Sequence, residues 1–126
     1  MTPAVITWHD AAQTIIRTEY SGAWTWDDFL ASKVQIDTYL HSVNHTVHIL
    51  SDSRASRGLP NGNALAVLSR SFQSAPDNIG TVVVLGANPL FKSLLQLLQT
   101  VSLNRAAKNI RFVRDESHAR SVVDAV

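Results

Sequence analysis

The chain contains no cysteine. That excludes disulfides, thiol nucleophiles and zinc–thiolate centres. Charge is also scarce. Charged residues make up 17% of the 126 positions, and their formal sum is +1. So balanced a chain has no basic field to draw it onto nucleic acid or an acidic membrane surface, and neither partner is expected. Long hydrophobic runs are missing too. No segment is long enough to span a bilayer. The first residues, MTPAVITWHD, lack the basic stretch and sustained apolar run of a secretory leader. The expectation is a cytoplasmic protein without membrane insertion, so the sequon Asn44-His45-Thr46 reads as coincidence.

Several chemical signatures are absent as well. There is no G-x-S-x-G elbow for a nucleophilic serine, and no glycine-rich dinucleotide loop or P-loop lysine. Gly86-Ala87-Asn88-Pro89 reads as a helix start. His41, His45 and His48 are the nearest approach to a metal cluster, but no carboxylate recurs beside them as in a zincin motif. His48 also belongs to a strand pattern rather than to the helix that could carry the other two. Neither a metal nor a cofactor is expected, and the chain reads as a non-enzyme.

What is present is a core. Hydrophobic residues are 45% of the chain, a globular composition. No repeat, low-complexity tract or linker divides it, so residues 1–126 read as a single domain.

The elements follow from periodicity. Ala4 to Trp8 and Thr14 to Tyr20 are β-rich and separated by the turn His9-Asp10-Ala11-Ala12, which predicts an antiparallel hairpin ended by Ser21-Gly22. Thr25 with Asp28 forms a carboxylate variant of the capping box, opening a helix from Trp26 to about His41. Phe29, Ile36, Leu40 and Val43 lie on its apolar line, with Lys33 at the edge and Leu30 and Val34 widening the face. Trp24 and Trp26 flank Thr25 as anchors of the helix start.

Thr46 to Leu50 is the next strand. A polar loop, Ser51 to Gly62, leads to a helix carrying Leu65, Leu68 and Phe72 and stopped at Ala75-Pro76. Thr81 to Leu85 is continuously apolar, as in a strand covered on both faces. Asn88 caps and Pro89 begins a helix to about Leu103, whose apolar residues spread over an arc of roughly 160°. That excess predicts extra burial, including self-association of two copies through Leu90, Leu94, Leu97 and Val101. Asn109 to Val113 suits an outer strand, and Asp115 caps the last helix. The order β-β-α-β-α-β-α-β-α predicts an α/β fold with a five-stranded, mostly parallel mixed sheet.

That order resembles the STAS-type domain of bacterial anti-sigma-factor antagonists. The likeness is carried further by Gly22-Ala23-Trp24-Thr25-Trp26-Asp27-Asp28, Val47-His48-Ile49-Leu50-Ser51-Asp52 and Ile110-Arg111-Phe112-Val113. These segments are similar to small stand-alone bacterial proteins of that fold. The resemblance implies a regulatory module whose loop after the central strand docks a protein partner. In the antagonists that loop ends in Asp-Ser-Ser/Thr-Gly, and its hydroxyl is phosphorylated at a helix N-terminus. Here the corresponding helix start, Leu59-Pro60-Asn61-Gly62-Asn63, has no serine, and Ser53 and Ser56 are the hydroxyls left to accept phosphate.

The expected site is therefore Asp52, Ser53, Arg54, Ser56, Arg57 and Asn61, beside Ser51. It would grip a protein partner, its arginines meeting carboxylates or phosphate. The alternative is a small-molecule or lipid-binding module with a pocket at the C-terminal ends of the parallel strands, by analogy with lipid-carrier domains of similar fold. The plain reading of the same residues is turn chemistry and solvated charge.

Overall fold

The computed structural model describes residues 3–102 and 104–126. It contains β1 (Ala4–Trp8), β2 (Ile15–Gly22), α1 (Trp26–His41), β3 (Val47–Ser56), α2 (Ala64–Gln73), β4 (Ile79–Leu85), α3 (Pro89–Val101), α4 (Arg105–Lys108), β5 (Ile110–Val113) and α5 (Glu116–Ala125). The strands form one sheet in the order β1-β2-β3-β4-β5. β1 and β2 pair antiparallel, and the remaining pairs are parallel. The fold is thus α/β with a five-stranded mixed sheet.

Each parallel strand is laid down beside the last in one direction. Right-handed crossovers then put every connecting helix on the same face. The core shows this directly. Ile16, Ile49, Val82, Val84 and Ile110 project from the sheet toward Leu40 of α1, Leu68 of α2 and Leu95 and Leu98 of α3. Leu50, Val83, Leu85 and Val113 project the other way, onto Ala119 and Val123 of α5. All seven residues of β4 are buried, because this strand alternates Val82 and Val84 toward one helical layer and Val83 and Leu85 toward the other.

Side-chain caps set the helix starts. Thr25 Oγ1 accepts the Asp28 N–H and Asp28 Oδ2 accepts the Thr25 N–H, at 3.1 and 2.8 Å. Asn63, Asn88 and Asp115 each accept a first-turn N–H of α2, α3 and α5.

The structure corrects several sequence expectations. β3 does not end at Leu50 but continues to Ser56. The segment Ser51–Ser56 is therefore strand, not loop, and only residues 57–63 connect β3 to α2. β2 likewise runs through Ser21-Gly22, which was expected to break it. The cause is mutual pairing: Ser21 stands opposite Ala55 and Gly22 opposite Ser56, after a bulge in the register between Glu19 and Ser21. Leu30 and Val34 do not join the buried face of α1; they are 45% and 66% exposed. A short helix, α4, appears where none was expected. Asn104 Oδ1 starts it by accepting the N–H groups of Ala106 and Ala107. α3 ends at Val101, and its expected end at Leu103 lies outside the described residues. The excess apolar arc of α3 is not covered within the chain. Leu90, Leu97 and Val101 are exposed, and Leu94 is half-buried.

Candidate functional site

The helical layer does not close over the sheet. α1 packs along β1, while α2 packs on α3 and α4. Between α1 and α2 lies a cavity of about 300 Å³, floored by Ile49, Val82 and Val84 of the sheet. Phe29, Ile36 and Leu40 of α1 form one wall, and Leu68 and Phe72 of α2 the other. Near the C-terminal ends of the strands it reaches Ser53, Ser56, Gly58, Leu59 and Asn88. Aromatic packing shapes that end. Trp24 sits 5.1 Å from Tyr20, 6.2 Å from Phe29 and 5.4 Å from Trp26, ring centre to ring centre. The indole of Trp24 donates to Ser56 Oγ at 2.8 Å, and Gly58 N–H donates to the same oxygen at 3.2 Å. Gly58 holds φ +114° and Gly62 φ +122°. A side chain would be strained in either conformation, so two glycines bracket the crossing Leu59-Pro60-Asn61.

Many of the cavity's polar side chains are hydroxyls, with the Asn88 amide at the rim. Thr18 on β2 lies opposite Ser51 on β3, and both face inward with Ser53. Tyr20 Oη and Ser32 Oγ are hydrogen-bonded at 2.6 Å, and Ser32 also donates to the Phe29 carbonyl at 2.7 Å. Burial pushes the Tyr20 phenol above its ordinary pKa, with the Ser32 bond acting in the opposite sense. At the mouth Lys33 and Asp37 are paired at 2.7 Å one helical turn apart, and Arg54 stands at the strand-end rim.

The opposite sheet face carries an ion cluster. Asp52 is buried. Its carboxylate accepts the Arg54 N–H at 3.1 Å, Arg54 Nε at 3.0 Å and Arg54 Nη2 at 2.8 Å, and also Arg17 Nη2 at 2.8 Å. Arg17 bonds Glu116 at 2.5 Å and Glu19 at 2.7 Å, and Arg54 reaches Glu116 at 2.9 Å. The Arg54 side-chain bonds hold the Asp52 carboxyl below its usual range against the opposing effect of burial. The Arg17 bonds do the same for Glu116. Burial works against the Arg17 cation, but its bonds to Glu116 and Glu19 raise its pKa nonetheless.

The expected site is thus divided between two faces. Strand alternation sends Ser51 and Ser53 to the cavity and Asp52 and Arg54 to the ion cluster. Arg54, at the strand end, touches both: its guanidinium serves the cluster, while the residue also lines the cavity rim. Ser56 holds the Trp24 indole, and Arg57 and Asn61 are exposed on the crossing. Sequence reasoning missed Thr18, Tyr20 and Ser32 in the cavity, and Arg17, Glu19 and Glu116 in the cluster. A signal was available in β2, where Ile16, Thr18 and Tyr20 alternate with Arg17 and Glu19.

The histidines are placed apart. His45 Nε2 lies 2.9 Å from the Gln13 carbonyl, His48 accepts from the Thr81 N–H, and His41 is exposed. Among the described residues no three or more His, Asp or Glu side chains gather as a metal site would require. None of the described helices is long and apolar enough to cross a membrane. No protein-family model matches the chain, and no curated protein matches it.

Proposed function

We propose that this protein is a non-enzymatic binding module that holds a small apolar molecule between its sheet and helices α1 and α2. The cavity of about 300 Å³ carries this reading. Protein interiors leave few voids larger than a water molecule, and ligand pockets begin at roughly 300 Å³. Apolar walls with a few converging polar groups are the usual composition of such pockets. Cytoplasmic residence is part of the proposal.

Ser71 stands half-buried on α2 against the cavity. Ser71→Trp places a large side chain in the opening. An environment-sensitive apolar dye is expected to light up with the wild-type protein and to stay dark with the folded variant. Native mass spectrometry of protein purified from its own cells is expected to show a bound small molecule. Equal dye binding by the two proteins would end the reading.

A second reading is favoured by the exposure of Arg57 and Asn61 on the 57–63 crossing. Here the protein is a regulatory module of STAS type, as its element order suggests, and docks a protein partner on that crossing. A phosphate on Ser56 would have to displace the Trp24 indole, whereas one on Ser53 would occupy the cavity rim. Arg57→Ala with Asn61→Ala should abolish capture of the partner, and unchanged capture counts against this surface. The α3 stripe of exposed Leu90, Leu97 and Val101 with half-buried Leu94 supports the accompanying proposal of a homodimer, which sedimentation at rising concentration would refute by returning a monomer throughout.

A further inference from the structure

We infer that the cavity selects an uncharged ligand: an apolar body carrying one or two hydroxyl or carbonyl oxygens, in preference to a carboxylate, phosphate or amine. This deepens, and rests on, the reading of the cavity as a binding site. Three independent features converge on it.

First, the charges around the cavity are already matched. Lys33 is bonded to Asp37 at the mouth. The Arg54 guanidinium is turned to Asp52 and Glu116. A ligand anion entering here would lose its hydration and meet cations that already have partners, which is unfavourable in a water-poor interior.

Second, the starts of α1, α2 and α3 are each already capped by a side chain. Free N–H groups at a helix N-terminus are the other common anion receptor. α1 opens with the Thr25–Asp28 box, which places a carboxylate there. α3 opens with Pro89, which has no N–H, and Asn88 Oδ1 already accepts the Phe91 N–H at 2.8 Å. Asn63 Oδ1 accepts the Ala66 N–H of α2 at 3.1 Å.

Third, the polar side chains that rise from the sheet into the cavity include the hydroxyls of Thr18, Ser51 and Ser53, which both donate and accept. Thr18, only 2% exposed, and Ser51 face each other across β2 and β3. Ser53 follows on the same strand face. A ligand hydroxyl or carbonyl placed against them could exchange hydrogen bonds without any charge being buried.

The experiment uses n-decanol, methyl decanoate, n-decanoate and n-decane, followed through tryptophan fluorescence because Trp24 lines the cavity. At neutral pH, decanol and the methyl ester are expected to bind at least about tenfold more tightly than decanoate, a gap of about 1.4 kcal/mol. Ser51→Ala with Ser53→Ala, checked by circular dichroism for an intact fold, is expected to erase the advantage of decanol over decane. Decanoate binding as tightly as the alcohol, or an undiminished alcohol advantage in the double variant, overturns the inference and leaves the binding reading standing. If none of the four probes binds, decane included, both fall together.

Discussion

The ring nitrogen Nδ1 of His48 accepts the backbone N–H of Thr81 at 2.9 Å. The bond spans an irregularity in the pairing of β3 with β4. Val47 opposes Ile79 and Ile49 opposes Val82, so β4 carries one residue more than β3 over this interval. The imidazole receives an N–H that the irregular ladder would otherwise strand. It does so only as an acceptor, with its proton on Nε2.

This predicts an acid-sensitive fold. Burial lowers the His48 pKa, so the unfolded chain takes up the proton more readily than the native one. The contribution to stability is complete above the ordinary histidine range and declines as pH falls through it. The melting temperature of the wild type should therefore drop between about pH 7 and about pH 5 more than that of His48→Gln, whose amide oxygen can accept without titrating. Parallel curves would disprove the role of His48.

Gly80 is pressed against the same ring. A Cβ built there falls under 3.0 Å from both His48 Nδ1 and Cε1. Gly80→Ala should destabilise the protein by roughly 1–3 kcal/mol in urea unfolding, the usual cost of overpacking. His48→Ala in the same chain should recover part of that loss, because the obstacle is then removed. Additive effects of the two changes would refute the contact as the cause.

Asp52, expected to bind a partner or ligand, has its carboxylate paired with Arg17 and Arg54. Asp52→Asn leaves the largely buried Arg17 without one of its counter-charges. A loss of about 2–4 kcal/mol is expected in urea unfolding. Decanol affinity should stay within about twofold, since the cluster lies on the opposite sheet face from the cavity. The depressed Asp52 pKa adds stability that is present above the ordinary carboxylate pKa and is lost as pH falls below it. A variant of wild-type stability with abolished ligand binding would return Asp52 to the binding site.

Thr25 begins α1 beside the aromatic end of the cavity. Thr25→Ala removes an acceptor from the capping box and should cost about 1 kcal/mol. Thr25→Ser should restore most of it in the same unfolding assay. If serine proves as damaging as alanine, the cap is not what Thr25 contributes.

Much of the architecture was legible because it depends on local chemistry. TVVVL between two glycines read as a strand buried on both sides. Thr25 with Asp28, Asn88 with Pro89, and Asp115 announced helix starts through side chains that satisfy their own backbone neighbours. Strand–helix alternation then implied parallel pairing. The end of β3 was not legible. Ser-Asp-Ser-Arg-Ala-Ser has the composition of a loop, and it is a strand because β2 supplies a pairing edge as far as Gly22. Its period-two polarity was visible, but without knowing it was a strand there was no reason to assign its two sets of side chains to opposite faces.

The sequence by itself determined the order and type of the main elements, since caps, breakers and apolar periodicity act over a few residues. Tertiary structure alone decided that α1 and α2 stand apart over the sheet, that Ser51 and Ser53 look into the gap, and that Arg17, Asp52, Arg54 and Glu116 meet behind it. Arg17 and Glu116 are distant in the chain, and so are Phe29 and Phe72. No local preference encodes how two helices space themselves across a sheet, because that spacing is the joint result of side chains that meet only after the chain has folded.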